Sequence, residues 1–357
     1  MLDVSLRGLT LAPLRDLDLT FPRSTHTAIV GRGGSGASTL LRSLAGEVRP
    51  ERGEIRIGTR DVTKLSASRR PLLYVTQELS VPARWSVQHA LVAATRGRTL
   101  DREDRHREYV LAGEKWGLTH LEERRISSLS SSEKTRVHLA WIELTRPGIL
   151  VADRLLSGLN AAELEEVASA FYRTLRVLGT TSISAPATRL ELGLTDSIAV
   201  LHEGRLVQHG TAAEVFLSPL SEAAAEATGE VNVIPVTIRG AMVESPIGAW
   251  EVTPAPFQGS GLVLVRPDEF EVAAPGEDSD VIFGVEEACF RDGRWHAVGM
   301  LSGGVVLRVV LPRSGTVHKG KLLALRYDPS RFRLLQKALD PLVLIPTDVV
   351  PAMRDSR

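Results

Sequence analysis

Hydrophobic patterning divides the chain into two regimes near residue 220. Upstream, short continuous apolar runs alternate with longer stretches of helical periodicity. The runs at 27–30, 71–75, 149–152, 181–184 and 197–201 read as buried strands. The segments at 38–45, 87–94, 104–116, 132–144 and 161–178 predict helices between them. Strands alternating with helices imply an α/β domain with a largely parallel sheet covered on its faces. Downstream of Pro219 the apolar runs are short and separated by turn residues. Strands are predicted at 231–238, 261–265, 281–285, 305–310 and 321–326, a spacing that suits a small all-β domain of one or two OB-like barrels. The stretch 218–229, rich in Ala and Glu, reads as a linker. The expectation is an α/β domain over 1–217 and a β-barrel domain over 230–350.

Composition narrows the class. A chain of 357 residues suits two domains. Its 43 basic and 43 acidic residues cancel, which argues against binding nucleic acid through bulk charge. The single cysteine, Cys289, allows no internal disulfide and fits a reducing compartment; in a strand context it reads as a packed thiol. No run approaches the ~18 apolar residues of a membrane span, and the first residues lack a signal-peptide layout. Any membrane connection is expected to come through a partner.

One turn carries specific chemistry. Gly31-Arg32-Gly33-Gly34-Ser35-Gly36-Ala37-Ser38-Thr39 follows the apolar run Ala28-Ile29-Val30 and precedes a predicted helix. In the phosphate-binding pattern G-x-x-x-x-G-K-[ST], Gly31, Gly36 and Ser38 fall in place, but the lysine position holds Ala37. Further landmarks follow in order. Leu73-Tyr74-Val75-Thr76-Gln77 ends a strand. Leu129-Ser130-Ser131-Ser132-Glu133 opens a helix. Ile149-Leu150-Val151-Ala152-Asp153 is a strand ending in an acid, followed by Ser157-Gly158-Leu159-Asn160. The segment Asp196-Ser197-Ile198-Ala199-Val200-Leu201-His202-Glu203-Gly204-Arg205-Leu206-Val207-Gln208-His209-Gly210-Thr211 closes the α/β region.

In this order and spacing, residues 1–215 resemble the ATP-binding-cassette ATPases. The segments correspond to that family's P-loop, Q-loop, signature, Walker B strand, D-loop and the stretch after its H-loop. Leu262-Val263-Leu264-Val265-Arg266-Pro267-Asp268-Glu269 resembles an element of the β-barrel regulatory domain on importer ATPases of the maltose, polyamine and ferric-iron type. The resemblance implies a nucleotide-binding subunit of an ABC importer. Such a subunit holds ATP and Mg²⁺, pairs with a second ATP-binding subunit as a homo- or heterodimer, and drives transmembrane permease subunits. It lies in the cytoplasm, peripheral on the inner face of the cell membrane, and the transported solute is not written in it.

By the same resemblance, Gly31, Gly34, Gly36, Ser38, Thr39, Gln77, Ser130 and Asp153 are the nucleotide-binding positions retained, with Ser38, Gln77 and Asp153 on the Mg²⁺ side. The catalytic positions are degenerate. Ala37 replaces the lysine, Arg154 the glutamate that orients water, and Pro186 the H-loop histidine. Ser131 and Ser132 replace the signature glycines, and no aromatic residue lies near Leu9–Leu14 to stack on adenine. Hydrolysis by the chain alone is therefore expected to be very weak or absent, with an intact paralogue as the active partner. Two alternatives stay open: a structural or regulatory subunit that no longer binds ATP, and an ordinary ATPase that recruits Arg32 or Arg154. Simpler roles also compete residue by residue. Asp153 can cap a strand end, and Ser130 with Glu133 can form a helix capping box. Arg154 can be a solvated or ion-paired charge. The residues 96–107 read as a solvated loop and helix face, and His26, His89, His106 and His138 show no metal-ligand spacing.

Overall fold

The structure, a computed structural model, describes residues 2–336 apart from 80, 275–276, 302–303 and 314–315. The part of the predicted barrel at 337–350 lies outside the described residues. Two compact units divide at Leu217 and Ser218.

The first unit contains two sheets. An antiparallel sheet orders β2 (Leu14–Phe21), β1 (Val4–Leu11), β4 (Arg52–Ile57) and β5 (Arg60–Asp61). The second sheet has β3 (His26–Val30), β6 (Leu73–Thr76), β7 (Ile149–Asp153), β8 (Thr181–Ala185), β9 (Ser197–His202) and β10 (Arg205–Gly210). Its order is β10-β9-β3-β8-β7-β6; only β10 runs antiparallel. Among the described residues, the helices of this unit are α1 (Ala37–Ala45), α2 (Val87–Ala94), α3 (Arg102–Lys115), α4 (Ser131–Thr145) and α5 (Ala161–Leu178), with a short α6 (Ala212–Leu217) at its end.

Alternation along a buried strand sorts side chains between two cores. On β7, Ile149 and Val151 join a core formed with α1 and the antiparallel sheet. Leu150 and Ala152 join the opposite core, built from α2 to α5 around Trp116, Tyr109 and Phe171. Each large apolar side chain buried this way contributes about 1.5–3 kcal/mol relative to exposure. Trp116 is 1 % exposed, and its indole N–H donates to Glu143 at 2.6 Å.

The antiparallel sheet was not foreseen. On β1 the buried residues are Val4, Leu6, Leu9 and Leu11, so the two-residue rhythm breaks after Leu6. The break is a register shift in both pairings, and Gly8 beside it adopts φ 55° while its N–H bonds Asp18 Oδ1 at 2.8 Å. The charged stretch 96–107 is exposed along most of its length, as expected; Arg98 is half-buried and ion-pairs with Glu108, which also takes Arg146 at 3.0 Å.

The second unit starts with α7 (Glu222–Thr228). This corrects the linker expectation for 218–229. Ser221 caps the helix, Ala224 and Ala225 are buried, and Arg266 holds its C-terminal end. The Arg266 guanidinium is buried and donates to the carbonyls of Ala225 at 2.9 Å and Glu230 at 3.1 Å, and to Thr228 Oγ1 at 3.0 Å.

The rest of this unit is β11 (Asn232–Arg239), β12 (Met242–Ser245), β13 (Gly248–Glu251), β14 (Gly259–Val265), β15 (Phe270–Val272), β16 (Val281–Gly284), β17 (Glu287–Arg291), β18 (Arg294–Met300), β19 (Val306–Leu311), β20 (Leu322–Tyr327) and β21 (Arg333–Gln336). They form sheets ordered β13-β12-β11-β14-β21, β15-β20-β16 and β17-β18-β19 around one apolar core. Asn232, 1 % exposed, joins two of the sheets by bonding the Arg308 carbonyl and N–H, each at 2.8 Å. Cys289 is exposed on β17, not packed as its strand context suggested. Among the described residues, no helix is long and apolar enough to cross a membrane.

Candidate nucleotide-binding site

The residues singled out by motif come from the C-terminal ends of adjacent strands. Val30 ends β3 and leads into the Gly31–Gly36 turn. Pro186 follows β8, Arg154 follows β7, and Gln77 follows β6. The register aligns these ends: Thr76 pairs with Asp153, and Asp153 with Ala185. The Arg154 N–H donates to the Ala185 carbonyl at 2.9 Å, so the two altered positions are joined through the backbone. Crevices beyond the carboxyl ends of parallel strands are the usual ligand sites of open α/β sheets.

The turn after β3 needs its glycines. A Cβ on Gly31 would collide with the Leu201 carbonyl and with Ser35. Gly36 has φ 102°, and a Cβ there would lie 2.5 Å from Leu14 Cδ2. Gly36 is the N-cap of α1 and offers no side-chain cap, and the first turn holds no acidic residue. By contrast Ser86, Asp101, Ser130 and Asn160 cap α2, α3, α4 and α5 with their own side chains. The first N–H groups of α1 are thus left for another acceptor, which is how a helix N-terminus serves an anion. Ser38 is exposed and Thr39 partly so. Ala37 is partly buried against the apolar core, so its methyl serves packing.

The Asp153 carboxylate is unusual. Its Oδ1 is buried yet accepts no hydrogen bond among the described residues. An acceptor in that state suits a cation, and Mg²⁺ sites commonly use one or two carboxylates. Gln77 is exposed at the adjacent strand end. Burial, then the Asp153 charge, then Glu47 push the neighbouring Tyr74 phenol up to about 12.

Arg154 is exposed and sits in the left-handed region at φ 51°. Its carbonyl accepts the Ser157 N–H at 3.2 Å and hydroxyl at 2.8 Å. Its guanidinium makes no ion pair among the described residues, so the pairing with an acid anticipated as one reading is not observed. Pro186 has no N–H, and the loop beyond it is held by Glu191. One Glu191 oxygen accepts the N–H groups of Ala187 at 2.7 Å and Thr188 at 3.1 Å. Burial pushes the Glu191 carboxyl above its usual range. Sequence reasoning missed Glu191, although Thr188-Arg189-Leu190-Glu191 has capping-box spacing.

Ser130 forms a capping box: its Oγ accepts the Glu133 N–H at 3.2 Å, and its own N–H donates to Glu133 at 2.7 Å. Those bonds hold Glu133 below the usual carboxylate range. The next turn is tied to α5. Glu163 accepts Ser132 Oγ at 2.8 Å, Arg136 Nη2 at 3.0 Å and Asn160 Nδ2 at 2.7 Å. Bonds from Ser132 and then Arg136 lower its pKa. A Cβ on Gly158 would crowd Thr135 Oγ1 and lie 2.8 Å from the Ser131 carbonyl. Leu9, Leu11 and Leu14, in the stretch where the resemblance places an adenine-stacking aromatic, are core residues.

Comparison with known proteins agrees with this geometry. Residues 14–156 match the ABC transporter family. The molybdate/tungstate import ATP-binding protein of Pyrococcus abyssi is 28 % identical over 86 % of this chain and 90 % of its own length. The Fe(3+) ions import ATP-binding protein of Pasteurella multocida is 26 % identical over 81 % and 84 %. The sulfate/thiosulfate import ATP-binding protein of Chromobacterium violaceum is 28 % identical over 95 % and 88 %. Among solved structures, CbiO1 of Clostridium perfringens, part of the CbiONQ complex, superposes with a TM-score of 0.54 at 23 % identity, over 60 % of this chain and 90 % of its own; at that identity the likeness concerns the fold. Motif order, sheet topology and these likenesses converge: the first unit contains an ATP-binding-cassette domain of the ABC transporter family, matched over residues 14–156.

Proposed function

We propose that this chain is the nucleotide-binding subunit of an ABC importer, that its own ATP site holds nucleotide but turns it over poorly, and that it works beside an intact ATP-binding subunit. One observation carries the reading. The glycine turn and the uncapped helix N-terminus are kept, while Ala37, Arg154 and Pro186 stand where the family places its lysine, glutamate and histidine.

The chemistry follows residue by residue. The N–H groups at the start of α1 donate to phosphate oxygens. Ala37 removes an ammonium worth ~1.5–3 kcal/mol, so the P-loop by itself contributes about one to two powers of ten less affinity than an intact one. Ser38, Gln77 and Asp153 would hold Mg²⁺, which neutralises phosphate charge when bound. Arg154 carries no basic lone pair for abstracting a proton from water, and Pro186 cannot donate to a γ-phosphate. Losing an acid–base or water-orienting group typically costs ~10²–10⁴ in rate. In a dimer, the Ser130 hydroxyl, whose oxygen already caps α4, can still donate its proton to a partner's nucleotide.

The relatives serve chemically different cargoes: molybdate or tungstate, Fe(3+), and sulfate or thiosulfate. The cassette is accordingly read as a motor shared across cargoes, attached peripherally to permease subunits at the inner face of the membrane. The second reading is a structural or regulatory subunit that has lost ATP. The packing of Ala37 and of Leu9, Leu11 and Leu14 into the core favours it.

Reconstitution tests the proposal. Permease subunits with this chain alone are expected to give no ATP-driven uptake, and adding the intact ATP-binding subunit should restore it. Robust uptake with this chain as the sole ATP-binding subunit would refute the asymmetric motor.

A further inference from the structure

We infer that Arg154 is the phosphate-gripping cation of this chain's nucleotide site, replacing from β7 the charge that Ala37 no longer supplies from the P-loop. The inference rests on the reading that the site takes a nucleotide.

The argument begins with position. The sheet places β8 between β3 and β7. At about 4.8 Å per strand, the backbone of Arg154 lies roughly 10 Å across the sheet from the end of β3. An extended arginine side chain covers most of that distance. Arg154 is therefore placed within side-chain reach of the glycine turn.

The second point is how the backbone is held. The Arg154 N–H is bound to Ala185, its carbonyl takes both the N–H and the hydroxyl of Ser157, and φ is 51°. A left-handed conformation is uncommon for an arginine. Here it is fixed from both sides, so the side chain starts from a defined point rather than from a loose loop.

The third point is charge. Asp153 and Arg154 are adjacent and opposite in sign, yet they form no ion pair. Asp153 keeps a buried Oδ1 with no hydrogen bond among the described residues, and Arg154 is exposed without an ion pair among them. Leaving both uncompensated creates a site with one anionic and one cationic group, which complements a metal–polyphosphate. A guanidinium meets phosphate through a two-pronged fork and keeps its charge at any physiological pH. Such a group holds terminal phosphate oxygens without accepting a proton from water, so it strengthens binding while the site stays hydrolytically weak.

Calorimetry with MgATP, MgADP and AMP on the whole chain tests this. The native chain is expected to bind ATP more tightly than ADP. Arg154→Gln, which keeps length and removes charge, should weaken ATP binding about 10- to 100-fold and bring the ATP and ADP affinities together. AMP affinity should not change. Arg154→Lys should recover only part of the loss. Ala37→Lys added to Arg154→Gln should restore ATP binding, because the missing charge returns from the other wall. Thermal unfolding of the Arg154→Gln and Arg154→Lys variants should match the native chain, since Arg154 is exposed. Equal ATP affinity in native and Arg154→Gln protein would overturn the inference while leaving the nucleotide reading intact. No binding of any nucleotide by the native chain would overturn both.

Discussion

Replacing Arg70 with methionine should unseat the P-loop helix from below. Arg70 is 5 % exposed and lies beneath the C-terminal end of α1. Its Nη1 donates to the carbonyls of Ser43 at 2.6 Å and Leu44 at 2.7 Å. Its Nε and Nη2 reach the carbonyls of Leu65 at 3.1 Å and Thr63 at 3.2 Å. Burial lowers the guanidinium pKa, with Asp61 acting in the opposite sense. A positive group at a helix C-terminus also complements the helix dipole. The Ser43 carbonyl keeps a second donor, the Gly46 N–H at 3.1 Å. Methionine fills a similar volume but strands the other acceptors, at ~1–3 kcal/mol for each that water cannot reach. Partial access by water brings the expected total to about 3 kcal/mol, a large share of an ordinary domain's stability. In urea titration of the whole chain, the transition that melts the first unit should move down by about 1 M or more. Hydrogen exchange within α1 should accelerate in parallel. Arg69→Met, on an exposed neighbour, should change neither. A shift below about 0.5 kcal/mol for Arg70→Met would refute the assigned role.

Two other features give measurable outcomes. His26 and His138 are 0 % and 2 % exposed, and burial lowers each to about 4; for His26, Asp196 acts in the opposite sense. Their folded values lie below the unfolded value of about 6.5, so the unfolded chain binds more protons between those limits. Stability should therefore fall as pH drops from about 6.5 towards 4, by about 2 kcal/mol per histidine at pH 5. Urea titrations at pH 7.5 and 5 should show a smaller pH effect for His138→Gln than for the native chain; an equal pH effect would count against the assignment. Glu163→Ala should remove the tie between α4 and α5. It should cost about 1–2 kcal/mol in stability and, in the two-subunit transporter, lower turnover by the intact subunit more than its ATP affinity; unchanged turnover would detach Glu163 from coupling.

What the sequence disclosed depended on whether a residue's role is local. Most of the buried parallel strands were legible as short apolar runs, with β8 the exception at Thr181-Ser182-Ile183-Ser184, and the helix limits at 87–94 and 161–178 coincide with α2 and α5. The strand β1 was hidden by its register shift at Gly8, and β5 by being only two residues long. The helix α7 passed for a linker because its buried face is two alanines, and its anchor, Arg266, lies about forty residues downstream. Cys289 misled because β17 is exposed along most of its length. At the site, motif order located the strand ends that the sheet aligns. Glu163, Glu191 and Arg70 were not found, because their roles lie in distant hydrogen-bond partners. The Ser130 capping box was readable because its partner stands three residues away.

Steady-state ATP hydrolysis by the purified chain with Mg²⁺, at saturating ATP, tests the central claim most directly. With Ala37, Arg154 and Pro186 at the positions of lysine, glutamate and histidine, turnover should stay far below about one per second, the low end of ordinary enzymes. Ala37→Lys alone should not raise it into that range. Turnover at or above one per second by the native chain would contradict the account.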